Sequence, residues 1–283
     1  ITLVTEVLPK KIRGYGATLV ATMGVFGALL AFTISYLFAW RASYFIGGGL
    51  GLLLLVLRMR VFESGIFVEL KEKNVKRGNI AMLFTSKTRF IKYITSIIIG
   101  MPIWLVMGVI ITFSPEFGKA IGIAIPVDAG KAVLFAFMGQ VAGNIVSGSL
   151  SQYFNNRKKV VFLFMLLSAA FVLTLFLVPV TSITMLYVLC ACLGFSCGYW
   201  TLFITIAAEL FGSNLRATVA TTVPNFVRAT VIPLTALFTF LKGYTGTINS
   251  ILMVALLTYV LAVIALIFLE ETFKKDLNYV EEE

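Results

Sequence analysis

Eight stretches of this chain are apolar for long enough to cross a bilayer, and polar or charged segments separate them. Their approximate limits are residues 15–38, 41–59, 92–114, 131–152, 159–179, 183–208, 217–241 and 248–269. About 20 apolar residues wound as a helix cover the roughly 30 Å of hydrocarbon in a membrane. The runs are continuous and do not alternate polar with apolar positions, as outer-membrane strands do. In hydrocarbon a backbone must satisfy its own hydrogen bonds, so each run predicts a helix and the whole an all-α membrane protein.

Composition agrees. Hydrophobic residues make up 59% of the 283 and charged residues 13%, with a mean hydropathy of +0.99. Soluble domains average about 45–50% apolar and about 25% charged, which excludes that class. The net charge of +10 would suit a nucleic acid until the charges are placed. With the start taken as cytoplasmic, Arg41, Lys119, Lys131 and Lys242 fall on the far side and Arg228 inside a span. The remaining 18 of the 23 Lys and Arg fall on the cytoplasmic side. That bias predicts both termini in the cytoplasm and makes the basicity a topology signal, with no nucleic-acid partner expected; the localisation expected is multi-pass and integral in a bacterial inner (plasma) membrane.

Other chemistries find little support. Cys190, Cys192 and Cys197 share one span, and with no His in the chain they read as packing residues without a metal. Gly47-Gly-Gly-Leu-Gly51 has no Lys or strand context, so it is not a phosphate loop. Gly47 and Gly51, like Gly24 and Gly27, are expected instead to allow close helix packing. No nucleophile–base pair stands at membrane depth, which argues against an enzyme.

A repeat organises the chain. Glu6-Val-Leu-Pro-Lys-Lys-Ile-Arg13-Gly14 is echoed by Glu209-Leu-Phe-Gly-Ser-Asn-Leu-Arg216-Ala217, and Ala17 and Thr18 fall on Ala220 and Thr221 at the same offset. Each copy precedes a long apolar run, and six runs lie between the copies. A duplicated hinge between spans is how many transporters are built. The expectation is twelve spans, of which eight are visible. Residues 1–59 would hold the fifth and sixth spans, 60–91 a cytoplasmic connector, 92–269 a C-terminal six-span bundle, and 270–283 a solvated cytoplasmic tail.

These hinge residues resemble the major facilitator superfamily, in its branch of sugar porters, metabolite–proton symporters and organic-ion transporters. That branch carries a pattern like E-x-x-P-x-x-x-R-G after its fourth span and a related one after its tenth. Here the first is Glu6, Pro9, Arg13 and Gly14; the second keeps Glu209 and Arg216, with Gly212 where a Pro is usual. Gly148-Ser-Leu150-Ser-Gln152-Tyr-Phe-Asn-Asn-Arg157-Lys158-Lys159 is similar to the family's pattern between spans eight and nine, with Gln152 in place of its acid. Glu63-Ser64 and Glu271-Thr272 resemble its paired signatures after spans six and twelve. Charged groups half-buried at helix ends need partners, so Glu6, Arg13, Arg157, Glu209 and Arg216 are expected to form a cytoplasmic gate.

Arg228 is the one charged residue near the middle of a span. A charge at that depth costs about 2.5–3.5 kcal/mol on insertion scales and calls for a partner or a purpose. The partner is either an acid in spans outside this sequence or the substrate. Several organic-anion and aromatic-acid transporters of the superfamily carry an Arg twelve residues after the hinge Arg, the spacing of Arg216 and Arg228. The resemblance therefore implies a small anionic solute such as a carboxylate. Asn225, Gln140, Asn144, Trp104, Tyr199 and Trp200 are further candidates for the substrate site. The function expected is secondary active transport by alternating access, as proton-coupled symport by a monomer, with a proton gradient and no bound cofactor. Uniport or exchange of neutral solutes such as sugars, and solute sensing without turnover, are the alternatives.

Overall fold

The computed structural model describes residues 13–59, 78–273, 275 and 279–281. Eight helical segments among them are long and apolar enough to cross a membrane, as the sequence predicts. The first two are α1 (Arg13–Leu37) and α2 (Trp40–Arg58). A short α3 (Met82–Thr85) leads into α4 (Lys87–Trp104), which continues as a π-helical segment, Leu105–Ile111. Helix α4 thus begins at Lys87, inside the stretch read as connector, whose residues 60–77 lie outside the described ones. After α5 (Ser114–Ala120) come α6 (Ala129–Phe154) and α7 (Arg157–Leu177). Next, α8 (Ile183–Ser196) passes through a 3₁₀ turn, Cys197–Tyr199, into α9 (Trp200–Glu209). Finally α10 (Ser213–Ala229), α11 (Val231–Thr245) and α12 (Thr247–Phe268) complete the bundle.

Local chemistry sets several of these limits. The Asp128 carboxylate accepts from the N–H groups of Gly130 and Lys131 and opens α6. Asn156 does the same for α7 through Lys159, and Ser182 for α8 through Met185. Such caps satisfy amides that the first helical turn leaves without partners. Asn155 ends α6 in the left-handed region, at φ 50°, which Asn tolerates better than most residues.

Three of the predicted spans are composite. Pro102 removes a backbone donor inside α4, and the π-helical winding begins three residues later. The sixth span is interrupted by its 3₁₀ turn and the seventh at Thr230, between α10 and α11. Hydropathy does not register these breaks, because each composite span stays apolar on average along its whole length.

The tightest contact joins α6 to α8. A methyl group built on Gly194 would lie 1.8 Å from the Ala136 carbonyl oxygen, and one on Gly139 1.9 Å from that of Ala191. Gly143 and Gly198 are equally confined, against the backbone of Phe195 and of Gly143 itself. Two glycines four apart on each helix thus let the backbones touch. Gly24, Gly27, Gly47 and Gly51, expected to play this part, have nothing within 4 Å of a built methyl among the described residues. That expectation is corrected: the sequence Gly139-x-x-x-Gly143 and Gly194-x-x-x-Gly198 carried the signal.

Helix α1 lies along α6 in the opposite sense, with Thr18 against Gly148 at one end and Phe32 near Gly130 at the other. Of the remaining spans, α12 packs on α4 and α7, and α2 buries none of its residues. The Ser168 and Tyr259 hydroxyls share a 2.6 Å hydrogen bond between α7 and α12.

Candidate functional site

A cavity of about 290 Å³ lies where α1, α4, α6, α9 and α10 face one another. Helix α1 supplies a small-residue wall of Ala21, Gly24, Val25 and Ala28. The opposite walls carry Trp104 and Met107, Phe137 and Gln140, Trp200, and Arg228. Arg228 is the one charged residue in this lining, and no carboxylate accompanies it. Among the described residues it makes no ion pair, and its Nη1 donates instead to Asn225 Oδ1 at 2.9 Å.

Two indoles hold the guanidinium. Its Cζ stands 5.7 Å from the centre of the Trp104 ring and 5.5 Å from that of Trp200. The rings meet edge to face at 6.2 Å. Cation–π contacts of this kind contribute about 0.5–2 kcal/mol each, more as water is excluded. They orient the guanidinium without neutralising it, so its charge remains available to an anion.

Gln140 is 5% exposed, and its amide oxygen has no hydrogen-bond partner among the described residues. Trp104 Nε1 is in the same position. Polar atoms left this way cost about 1–3 kcal/mol each, so both are unusual for a finished core.

The other candidates stand back from the cavity. Asn225 reaches it only through Arg228, and its Nδ2 donates to the Thr221 carbonyl at 2.9 Å. Asn144 is fully buried between α6 and α9, where its Oδ1 accepts from Thr201 Oγ1 at 3.3 Å. Tyr199 is fully buried too, and its hydroxyl donates to the Ile99 carbonyl at 3.3 Å. Trp200, the first residue after the 3₁₀ turn, meets the cavity, and its neighbour Tyr199 does not.

The second group of predicted residues lies at the end of the bundle that carries the hinge between α9 and α10. Arg157 Nη2 and Glu209 Oε1 pair at 2.8 Å, each side chain 4% exposed. Arg157 also stacks on the Phe273 ring at 5.7 Å. Glu271 clamps the same corner: Oε1 accepts from the N–H groups of Arg157, Thr272 and Phe273, and Oε2 from that of Lys158. Lys158 Nζ returns the tie by donating to the carbonyls of Ile267 and Leu269. A carboxylate at the start of α7 and an ammonium at the end of α12 each suit the helix dipole they face. Arg216, on α10, is fully buried.

The Arg157–Glu209 pair joins α7 to α9 within one bundle. Glu6 lies outside the described residues, and so does the side chain of Arg13, whose backbone opens α1.

The tail departs from expectation. Tyr279 and Glu281 are not free in solvent; they lie on the α9–α10 hinge, where Tyr279 OH donates to the Leu210 carbonyl at 2.8 Å. Burial, followed by the nearby Glu281 carboxylate, pushes the Tyr279 phenol up to about 12. A short acidic sequence carries no signal for such docking, because the contacts are mostly to backbone.

Eight membrane-length helices around a solute-sized cavity with one charged residue in its lining define a multi-pass membrane protein. Residues 1–228 match the family model described as Major Facilitator Superfamily, and the chain belongs to that superfamily of membrane transporters. A search of curated proteins finds no match.

Proposed function

We propose that the protein carries a small organic anion, such as a carboxylate, across the membrane by alternating access, and that Arg228 meets the anionic group. The observation that supports this reading is the guanidinium itself, held between Trp104 and Trp200 in a cavity whose lining contains no carboxylate. An arginine in a low-dielectric site is stabilised by an anion far more than in water. Gln140 supplies an amide to the same space, and Ala21, Gly24, Val25 and Ala28 leave room for the body of the solute. Proton coupling would then rest on groups outside the cavity lining, which holds no acid or histidine.

The test is uptake by the full-length protein in proteoliposomes, with labelled carboxylates set against neutral and cationic solutes, with and without an inward proton gradient. Carboxylate uptake that disappears in Arg228→Ala, with insertion and folding intact, is the expected result. Uptake of neutral or cationic solutes alone would overturn the anion reading.

A further inference from the structure

The segment Tyr279–Glu281 is tied to the hinge by six hydrogen bonds. Ser213 donates twice to the Tyr279 carbonyl, from its N–H at 2.8 Å and its hydroxyl at 3.1 Å. Asn214 and Glu281 pair reciprocally: Nδ2 donates to the Glu281 carbonyl at 3.0 Å, and the Glu281 N–H donates to Oδ1 at 3.0 Å. A side-chain amide here stands in for a neighbouring strand. The Gly212 N–H donates to Glu281 Oε1 at 3.2 Å, and Tyr279 OH bonds Leu210. Glu281 Oε2 lies 3.9 Å from Arg89 in the first turn of α4, and the Asn214 carbonyl accepts from the N–H of Gly78. One short segment beyond α12 therefore gathers the α9–α10 hinge and the start of α4.

The repeat supplies an internal control. Residues 212, 213 and 214 correspond to 9, 10 and 11 of the first hinge, which are Pro9, Lys10 and Lys11. Both hinges keep the Glu and the Arg that frame them, and they differ at the three positions that receive this segment. Pro9 has no N–H to donate. Gly212 has one and uses it, and a methyl built on Gly212 would stand 2.7 Å from the Glu281 nitrogen and 3.0 Å from the Tyr279 carbonyl oxygen. The second hinge is thus shaped to accept a strap that the first hinge could not.

We propose that Tyr279–Glu281 is a strap that restrains the hinge end of the bundle: it holds the start of α4, the α9–α10 hinge and the end of α12 together, and it must lift for those ends to separate. The strap acts on the helices that carry Trp104, Trp200 and Arg228, so it sets how readily the cavity opens toward that end. This goes beyond the anion reading and does not rest on it, because the restraint is present without any solute.

Gly212→Pro is the sharp test. Gly212 has φ −60°, a value proline adopts, so the change fits the hinge backbone and acts by removing the N–H and crowding the strap. The second variant ends the chain before Tyr279. In each, Val219→Cys is introduced into a full-length background in which Cys190, Cys192 and Cys197 are replaced by Ala. Val219 is fully buried on α10, so a maleimide labels it only when the hinge end opens. Both variants should label about tenfold faster than the strapped protein, the size that one or two net hydrogen bonds would set. Rates in both variants equal to that of the strapped protein overturn the proposal. Faster labelling after truncation alone, with Gly212→Pro folded and unchanged, also overturns it, because the restraint would not act through the hinge.

Discussion

Val25 and Arg228 stand at equivalent places in the two repeats, each twelve residues past its hinge arginine, and both line one cavity. The shared scaffold therefore brings two symmetry-related positions to the centre, and a charge is present at only one. What the pseudo-symmetric pair has in common is position; what differs is chemistry. The scaffold does not need the guanidinium, and the work of holding it falls to Trp104 and Trp200.

Because the two indoles contact the same guanidinium, their effects should not add. Trp104→Leu and Trp200→Leu should each raise the KM for an anionic solute roughly 3- to 10-fold, the range of one cation–π contact. The double variant should fall short of the product of the two, since residues sharing a partner couple. KM values from proteoliposome uptake decide this, and fully multiplicative effects would show that the indoles act elsewhere. Arg228→Lys should behave like the double variant, because an ammonium keeps the charge and loses the planar face.

The Arg157–Glu209 pair predicts a stability effect of a different kind. Both side chains are 4% exposed, so removing either one breaks a charge-assisted hydrogen bond in a dry site. Glu209→Leu should destabilise the bundle by about 1.5–3 kcal/mol, and Arg157→Met with Glu209→Leu should cost less than the two single changes added together. Thermal unfolding in detergent reads both. A double variant that costs the full sum would mean that the corner needs its charges for more than each other.

Glycines offer a contrast within one molecule. Gly194→Ala puts a methyl against the Ala136 backbone, where no side chain can give way, so α6 and α8 must part. The protein should lose about 2–3 kcal/mol or fail to fold, in line with overpacking of a close core. Gly47→Ala meets open space and replaces a poor helix former, so it should be neutral or mildly stabilising. Expression and melting temperature of the two variants, measured side by side, separate these outcomes.

The spans were legible because hydrocarbon imposes one requirement, a long apolar helix, and the sequence meets it eight times. Arg228 was legible for the converse reason: a charge at that depth breaks the rule. Side-chain direction was not legible where the backbone changes its winding. Tyr199 and Trp200 are neighbours about 100° apart on a helix, so they cannot share one face; the 3₁₀ turn ends between them, with Tyr199 on the Ile99 carbonyl and Trp200 in the cavity. Asn144 is a second case. It shares a face with Gln140, but at its level α9 closes over α6 and Thr201 takes the amide. The strap was invisible because hydrogen bonds to backbone leave no pattern in residue type. Its one trace is Gly212, which stands where the family pattern has a proline and lies against Glu281.

The irregular windings have a mechanical side. The π-helical segment begins immediately after Trp104, the 3₁₀ turn ends immediately before Trp200, and the break at Thr230 falls two residues after Arg228. Each of the three side chains that grip the cavity is thus mounted on a joint, where the regular ladder of backbone bonds is already interrupted. A rod with a joint can bend there without breaking an intact turn. A solute seated among these residues, as proposed, would push on the compliant points of three helices at once, and the stiff lengths on either side would act as levers that turn a small shift at the centre into a larger one at the rims.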